Sequence, residues 1–357
     1  MDHGSAVGGV QRSSPFAAPS AIRYALAREA YRTGTVRLVD PDLSGCDRLV
    51  ATRGGMFAIG PGKVRLVAHG LYFGLCVHDD TIFAFEAGDR PAAETYRGRI
   101  VRFRRVGARI VSAEVFATDL DNGCHQIDLI DGALCVVDTY NQRIVRLPLD
   151  GGARDTLQPL GSAARNDWAG GYVHVNALLA SGPDILLLLH NGAGKTGRAS
   201  EVLRLDRAWQ VVSRETLAGS GCHDLALLED GTLLSCGSSD GELVTSDRAR
   251  LKVCDLMTRG LSVDAHTIAV GGTAFAARDL RDEAAGRVFL LDRAGRHLET
   301  FELDGPPTEI CRIDGLDRSL SPYLASLPSP PALRLHPALT NRKAEDSAIG
   351  SSWSSGP

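Results

Sequence analysis

Cys124-His125-Gln126-Ile127-Asp128-Leu129-Ile130-Asp131-Gly132-Ala133-Leu134-Cys135-Val136-Val137 reads as a histidine, a short apolar strand, an Asp-Gly turn and a second apolar strand. Asp-Gly between two β-branched or aliphatic runs is a hairpin signal. The unit returns as His174-Val175-Asn176-Ala177-Leu178-Leu179, then Ser181-Gly182, then Ile185 to Leu189. It returns again as Cys222-His223-Asp224-Leu225-Ala226-Leu227, then Asp230-Gly231, then Leu233-Leu234. A fourth copy is taken as His266-Thr267-Ile268-Ala269-Val270 with Gly271-Gly272 as its turn. Phe73-Gly74-Leu75-Cys76-Val77 and Thr308-Glu309-Ile310-Cys311-Arg312 fit the same frame without the histidine.

The six anchors Phe73, His125, His174, His223, His266 and Thr308 follow one another at intervals of roughly 42–52 residues, the period of four-stranded propeller blades. Leu205-Asp206-Arg207-Ala208, Ser246-Asp247-Arg248-Ala249 and Leu291-Asp292-Arg293-Ala294 form a second repeat out of phase with the first. They read as the turns between the two outer strands of successive blades. The expected fold is all-β: a six-bladed β-propeller with four-stranded blades. A C-terminal inner strand, Glu309–Ile313, would join the N-terminal blade and close the ring, removing open sheet edges.

Outside this body the pattern changes. Residues 1–20 are rich in Gly, Ser, Ala and Pro and are expected to be a disordered tail. Residues 21–39 hold a short helix and linker, 40–315 the propeller, and 316–357 a Pro/Ser-rich, largely disordered tail. A net charge of −4 gives no general attraction to nucleic acid, and no apolar run reaches membrane-spanning length. Eight cysteines without a C-x-x-C pair read as small buried hydrophobes rather than a disulfide framework. With no signal-peptide pattern, a cytoplasmic protein is expected.

Val136-Val137-Asp138-Thr139-Tyr140-Asn141-Gln142-Arg143-Ile144-Val145-Arg146-Leu147 resembles the NHL repeat, whose V-x-D-x-x-N-x-R-I segment joins the second and third strands of a blade. The central body thereby resembles the group of six-bladed propellers that includes NHL, strictosidine-synthase-like and gluconolactonase-like proteins. The other blades keep the strand rhythm but lack the Asp-Asn-Arg trio. Peptidyl-hydroxyglycine amidating lyases are similar in bringing histidines from different blades to a central zinc, and carotenoid-cleaving oxygenases in holding iron with four. Fold alone does not settle activity within this group.

Inner strands line a propeller's channel, so residues that open them meet at one mouth. His125, His174, His223 and His266 are therefore the candidate ligands of a divalent metal ion, with iron, zinc and copper all compatible with imidazole. The structural alternative is a set of hydrogen-bonded spacers copied by duplication. Asn166-Asp167-Trp168-Ala169-Gly170-Gly171-Tyr172 leads into His174; it offers Asp167 as an acid or base and Trp168 and Tyr172 as pocket walls, with His190 and Phe73 completing the pocket. His190 to Thr196 lacks the spacing of a phosphate loop, and no nucleophile triad is visible. The expectation is a metal-dependent enzyme acting on a small-molecule substrate, by a lyase or hydrolase step on zinc or an oxidative step on iron or copper. The alternative is a non-catalytic ligand- or protein-binding propeller.

Overall fold

In the computed structural model, residues 19–91, 93–275 and 281–316 are described. The two tails expected to be disordered lie outside them, apart from their inner ends. The body is a six-bladed β-propeller of antiparallel sheets. Blade one runs from inner strand Tyr72–His78 to Arg109–Leu120, blade two from Ile127–Ile130 to Asp155–Leu157, and blade three from Val175–Ser181 to Val211–Thr216. Blade four runs from Cys222–Leu227 to Arg250–Lys252, and blade five from Met257–Val263 to His297–Leu303. In blade six Pro307–Arg312 pairs with Arg48–Thr52, which leads outward through Gly55–Gly60 and Lys63–His69 to the edge strand Arg37–Leu38.

The alternating pattern of each inner strand sends one apolar set toward the preceding blade and the next toward the following one. Six buried clusters result, one at each blade boundary. Leu75, Ile127, Leu225, Leu261 and Ile310 occupy equivalent places in them. Packing of blade on blade thus fixes the register in which the channel side chains are presented.

Blade five departs from the expected register. Its inner strand is Met257–Val263, and Thr267–Thr273 is the second strand. Gly271 and Gly272 are not a turn but lie inside that strand: a Cβ on Gly271 would stand 2.1 Å from the Arg259 carbonyl oxygen, and one on Gly272 2.7 Å from the Phe289 ring. The turn is Asp264–His266, where the Asp264 carboxylate accepts the backbone N–H groups of His266 at 2.7 Å and Thr267 at 2.8 Å. His266 is exposed at the far end of the inner strand, and this removes it from the ligand set.

Two local devices prepare the mouth. The Asp138 carboxylate accepts Asn141 Nδ2 at 2.8 Å and Arg143 Nε at 2.6 Å, tying the short 3-10 turn Thr139–Asn141 between two strands of blade two. The turn delivers Tyr140 beside His125. A helix, Ser20–Thr33, lies on the same face, with Arg23 paired to Asp304 and Arg28 to Asp89. No described helix is long and apolar enough to cross a membrane.

Candidate functional site

Inner strands open with a β-bulge in five of the six blades: between Tyr72 and Leu75, Val175 and Ala177, His223 and Ala226, Thr258 and Leu261, and opposite Ala51/Thr52. A bulge re-aims side chains out of the regular alternation. The residues two places before the equivalent packing positions are Phe73, His125, His223, Arg259 and Thr308. In blade three, His174 precedes the strand and takes a left-handed backbone, φ 54°, a conformation uncommon outside glycine.

Four imidazoles gather at this level. The ring centroids lie 4.8 Å apart for His125 and His174, 4.9 Å for His174 and His190, 5.2 Å for His190 and His223, and 6.3 Å for His125 and His223. His190, which follows the second strand of blade three, Asp184–Leu189, thus joins His125, His174 and His223 and takes the place expected of His266.

Hydrogen bonds assign the tautomers. His125 Nδ1 faces the Gly123 carbonyl at 3.0 Å, and His223 Nδ1 faces the Gly221 carbonyl at 3.0 Å. A carbonyl only accepts, so both rings carry their proton on Nδ1 and present the Nε2 lone pair to the channel. Ser238 Oγ, which donates to the Thr258 carbonyl, is a second acceptor for His223 Nδ1 at 2.8 Å. His190 is the reverse: Gly192 N–H donates to its Nδ1 at 3.1 Å, so the neutral ring offers an N–H from Nε2. His174 Nε2 stands 3.2 Å from His125 Nε2, and its Nδ1 is 3.1 Å from the Tyr172 hydroxyl.

Three of these rings, His125, His190 and His223, are held neutral. Burial, then the positive charge of Arg259 and the neighbouring imidazoles, pushes His125 and His223 well below the ordinary histidine value. Burial and Arg259 lower His190 to about 4. Arg259 is itself pulled down to about 10, chiefly by burial and then by Arg53.

The remaining expected site residues divide. Trp168 stacks on His174, with centroids 6.4 Å apart and planes 21° from parallel, and meets Tyr172 edge-on at 4.9 Å. Both therefore wall the histidine cluster. Asp167 is exposed and accepts Gly170 N–H at 2.8 Å, which shapes its own loop rather than reaching the rings. Phe73 is buried between blades one and two, beneath the Arg53 guanidinium at 5.4 Å, so it supports the mouth without opening onto it. Burial raises the Cys124 thiol well above its usual value and Cys222 to about 11, which leaves both as packing groups. Among the described residues, no three His, Cys, Asp or Glu side chains already form a group that could hold a metal ion.

Sequence reading missed Arg259, Ser238 and Tyr140. The signal for Arg259 is its place two residues before Leu261, matching His223 before Leu225, and a repeat of histidines does not include it.

No family model matches the chain, and no curated protein does. Solved structures share the fold. A structure from a nidogen/laminin complex is 12% identical with a TM-score of 0.54, covering 75% of this chain and 98% of that one. A protein of unknown function from Bacteroides caccae is 12% identical with a TM-score of 0.50, covering 76% and 99%. A putative gluconolactonase is 15% identical with a TM-score of 0.46, covering 77% and 89%. At these identities the likeness extends to the propeller architecture alone.

Proposed function

We propose that the channel mouth is the active site of an enzyme acting on a small organic molecule, with a divalent metal ion held by His125, His174 and His223. The observation that carries this reading is the outward hydrogen bond from Nδ1 of His125 and of His223 to a backbone carbonyl, each at 3.0 Å. That bond fixes a ligating histidine's tautomer and ring orientation in metal sites. Tyr172 extends the pattern to His174: its hydroxyl, 3.2 Å from the Thr139 carbonyl, can donate there while accepting from His174 Nδ1. Neutral imidazole is the ligating form, and burial keeps His125 and His223 neutral.

Two imidazoles on one tetrahedral ion have centroids roughly 5 Å apart, given metal–nitrogen bonds of about 2 Å. His125 and His174 meet that spacing, whereas His125 and His223, at 6.3 Å, must close by about 1 Å on binding. Three nitrogen ligands leave a position for water or substrate, and the ion would act as a Lewis acid there. His190 has a different part: its Nε2–H is a donor to a bound substrate oxygen. Trp168 and Tyr172 wall that space and limit water.

The test is metal content of protein purified without an affinity tag, by plasma mass spectrometry. About one ion per chain is expected. Alanine at His125, His174 or His223 should abolish it, while His190→Ala and His266→Ala retain it, all with unchanged circular dichroism. A metal-free wild-type protein, or retention in the first three variants, overturns the reading. Metal-free protein that still binds small molecules at the mouth would instead be a non-catalytic binding propeller.

A further inference from the structure

We propose that Arg259 is the anchor for a carboxylate group on the molecule bound at this mouth. The inference rests on the mouth being the substrate site but not on the metal. Arg259 opens the inner strand of blade five at the place His125 and His223 hold in blades two and four, within the bulge between Thr258 and Leu261. That register puts it at the level of the histidine mouth, and its charge lowers His125, His190 and His223 alike.

The buried arginines of this fold make the contrast. Arg23 is paired with Asp304 at 2.7 Å, Arg99 with Glu86 at 2.7 Å, and Arg48 with both Asp264 and Asp47. The Arg259 side chain makes no hydrogen bond or ion pair with the described residues. The carboxylate whose charge reaches it, Asp224, accepts Gly260 N–H at 2.7 Å through Oδ2. Arg259 is half-buried, so its guanidinium is partly desolvated yet reachable, and a ligand anion is the partner it lacks.

The chemistry of that anion follows from the charge on offer. Among the described residues Arg259 is the guanidinium at this level without an ion pair; it presents a planar fork of N–H groups, which matches a carboxylate. A phosphate dianion calls for a second free cation, and Arg53, the next guanidinium, is committed to Asp282.

Ligand-observed NMR titration with benzoate, benzamide and phenyl phosphate tests this on full-length protein, both metal-loaded and chelator-stripped. Benzoate should bind best in both forms, and Arg259→Gln should weaken it at least about tenfold, as expected for losing a charged hydrogen-bond pair. Arg259→Lys, which keeps the charge but loses the fork, should fall between the two and decides the matter if the glutamine variant does not fold. Benzoate binding that is absent, indifferent to Arg259, unaffected in the lysine variant, or no better than benzamide or phenyl phosphate overturns the proposal. Benzoate binding that depends on metal and not on Arg259 overturns the anchor while leaving the metal reading intact. Arginine-dependent binding that persists in the chelator-stripped form supports the anchor and leaves the metal reading to the metal-content measurement.

Discussion

His174 Nε2 and His125 Nε2 stand 3.2 Å apart across a blade boundary, although 49 residues separate them in sequence. Because His125 turns its only proton toward Gly123, the pair tolerates one hydrogen between the two Nε2 atoms and no more. Protonating both rings would set like charges against each other beside Arg259. The contact is therefore a commitment to neutral imidazoles, made by the backbone carbonyl that orients one ring and the hydroxyl that orients the other.

Stability should consequently fall on acidification. Unfolded histidines take up a proton near 6.5, whereas in the fold His125 and His223 resist it well below that value and His190 down to about 4. Below 6.5 the unfolded state binds more protons, so the folded state loses ground progressively until these groups titrate in place. Above that value all are neutral in both states and add no slope. Urea midpoints of chelator-treated protein between about pH 8 and pH 5 should show this decline, and His190→Asn should shallow it. A profile identical in the variant would show that the cluster carries no protonation penalty.

Tyr172→Phe isolates the support of His174. The hydroxyl contacts both the Thr139 carbonyl and His174 Nδ1, and the ring is 1% exposed, so its removal leaves buried polar groups without that partner. A loss of about 1 kcal/mol in urea unfolding is expected, together with metal affinity weaker by roughly 10- to 100-fold. Unchanged affinity, measured by chelator competition, would mean that Tyr172 does not orient a ligand.

Gly123 is where the blade-two mouth has no slack. A Cβ there would lie 1.9 Å from two atoms of the Tyr140 ring. That ring is covered on one face by Arg165, 3.4 Å from its centroid, and meets His125 edge-on at 6.1 Å. Gly123→Ala must displace Tyr140 and disturb His125 with it, at a cost of about 1–3 kcal/mol. Equilibrium denaturation within about 0.5 kcal/mol of wild type would show that the turn yields freely.

The fold was legible because blade packing is a repeated problem with a repeated answer. Asp206 and Asp292 each accept two backbone N–H groups of their turns, and Arg207 and Arg293 reach back to Asp131 and Glu229 of the preceding blade. Such residues recur at fixed spacing because each blade needs the same turn and the same tie. The meeting of His125, His174 and His223 at one mouth was legible where it used the repeat. It was not legible in blade five, where Gly271 and Gly272 answer to close contacts with Arg259 and Phe289 that no periodicity encodes. His190 entered from a neighbouring loop, a position the inner-strand repeat does not address.

The buried ion pair that joins blade six to blade five provides a last test, this time of the ring itself. Arg48 is 2% exposed on the second strand of blade six; it donates to Asp47 at 2.7 Å, to Thr267 Oγ1 at 2.6 Å, and to the Asp264 carboxylate. Burial pushes Asp264 upward, but the N–H groups of His266 and Thr267 and the charge of Arg48 outweigh it and hold the carboxyl below its usual value. Arg48→Leu leaves that charge with Arg312, 3.3 Å away, as its remaining cation, and should cost about 3 kcal/mol. Adding Asp264→Asn removes the stranded charge while keeping an oxygen to accept the turn's N–H groups, so the double variant should recover part of the loss. A strictly additive double-mutant cycle in urea would show that the two residues do not act as a pair, and the blade-five turn would then be held by its own backbone alone.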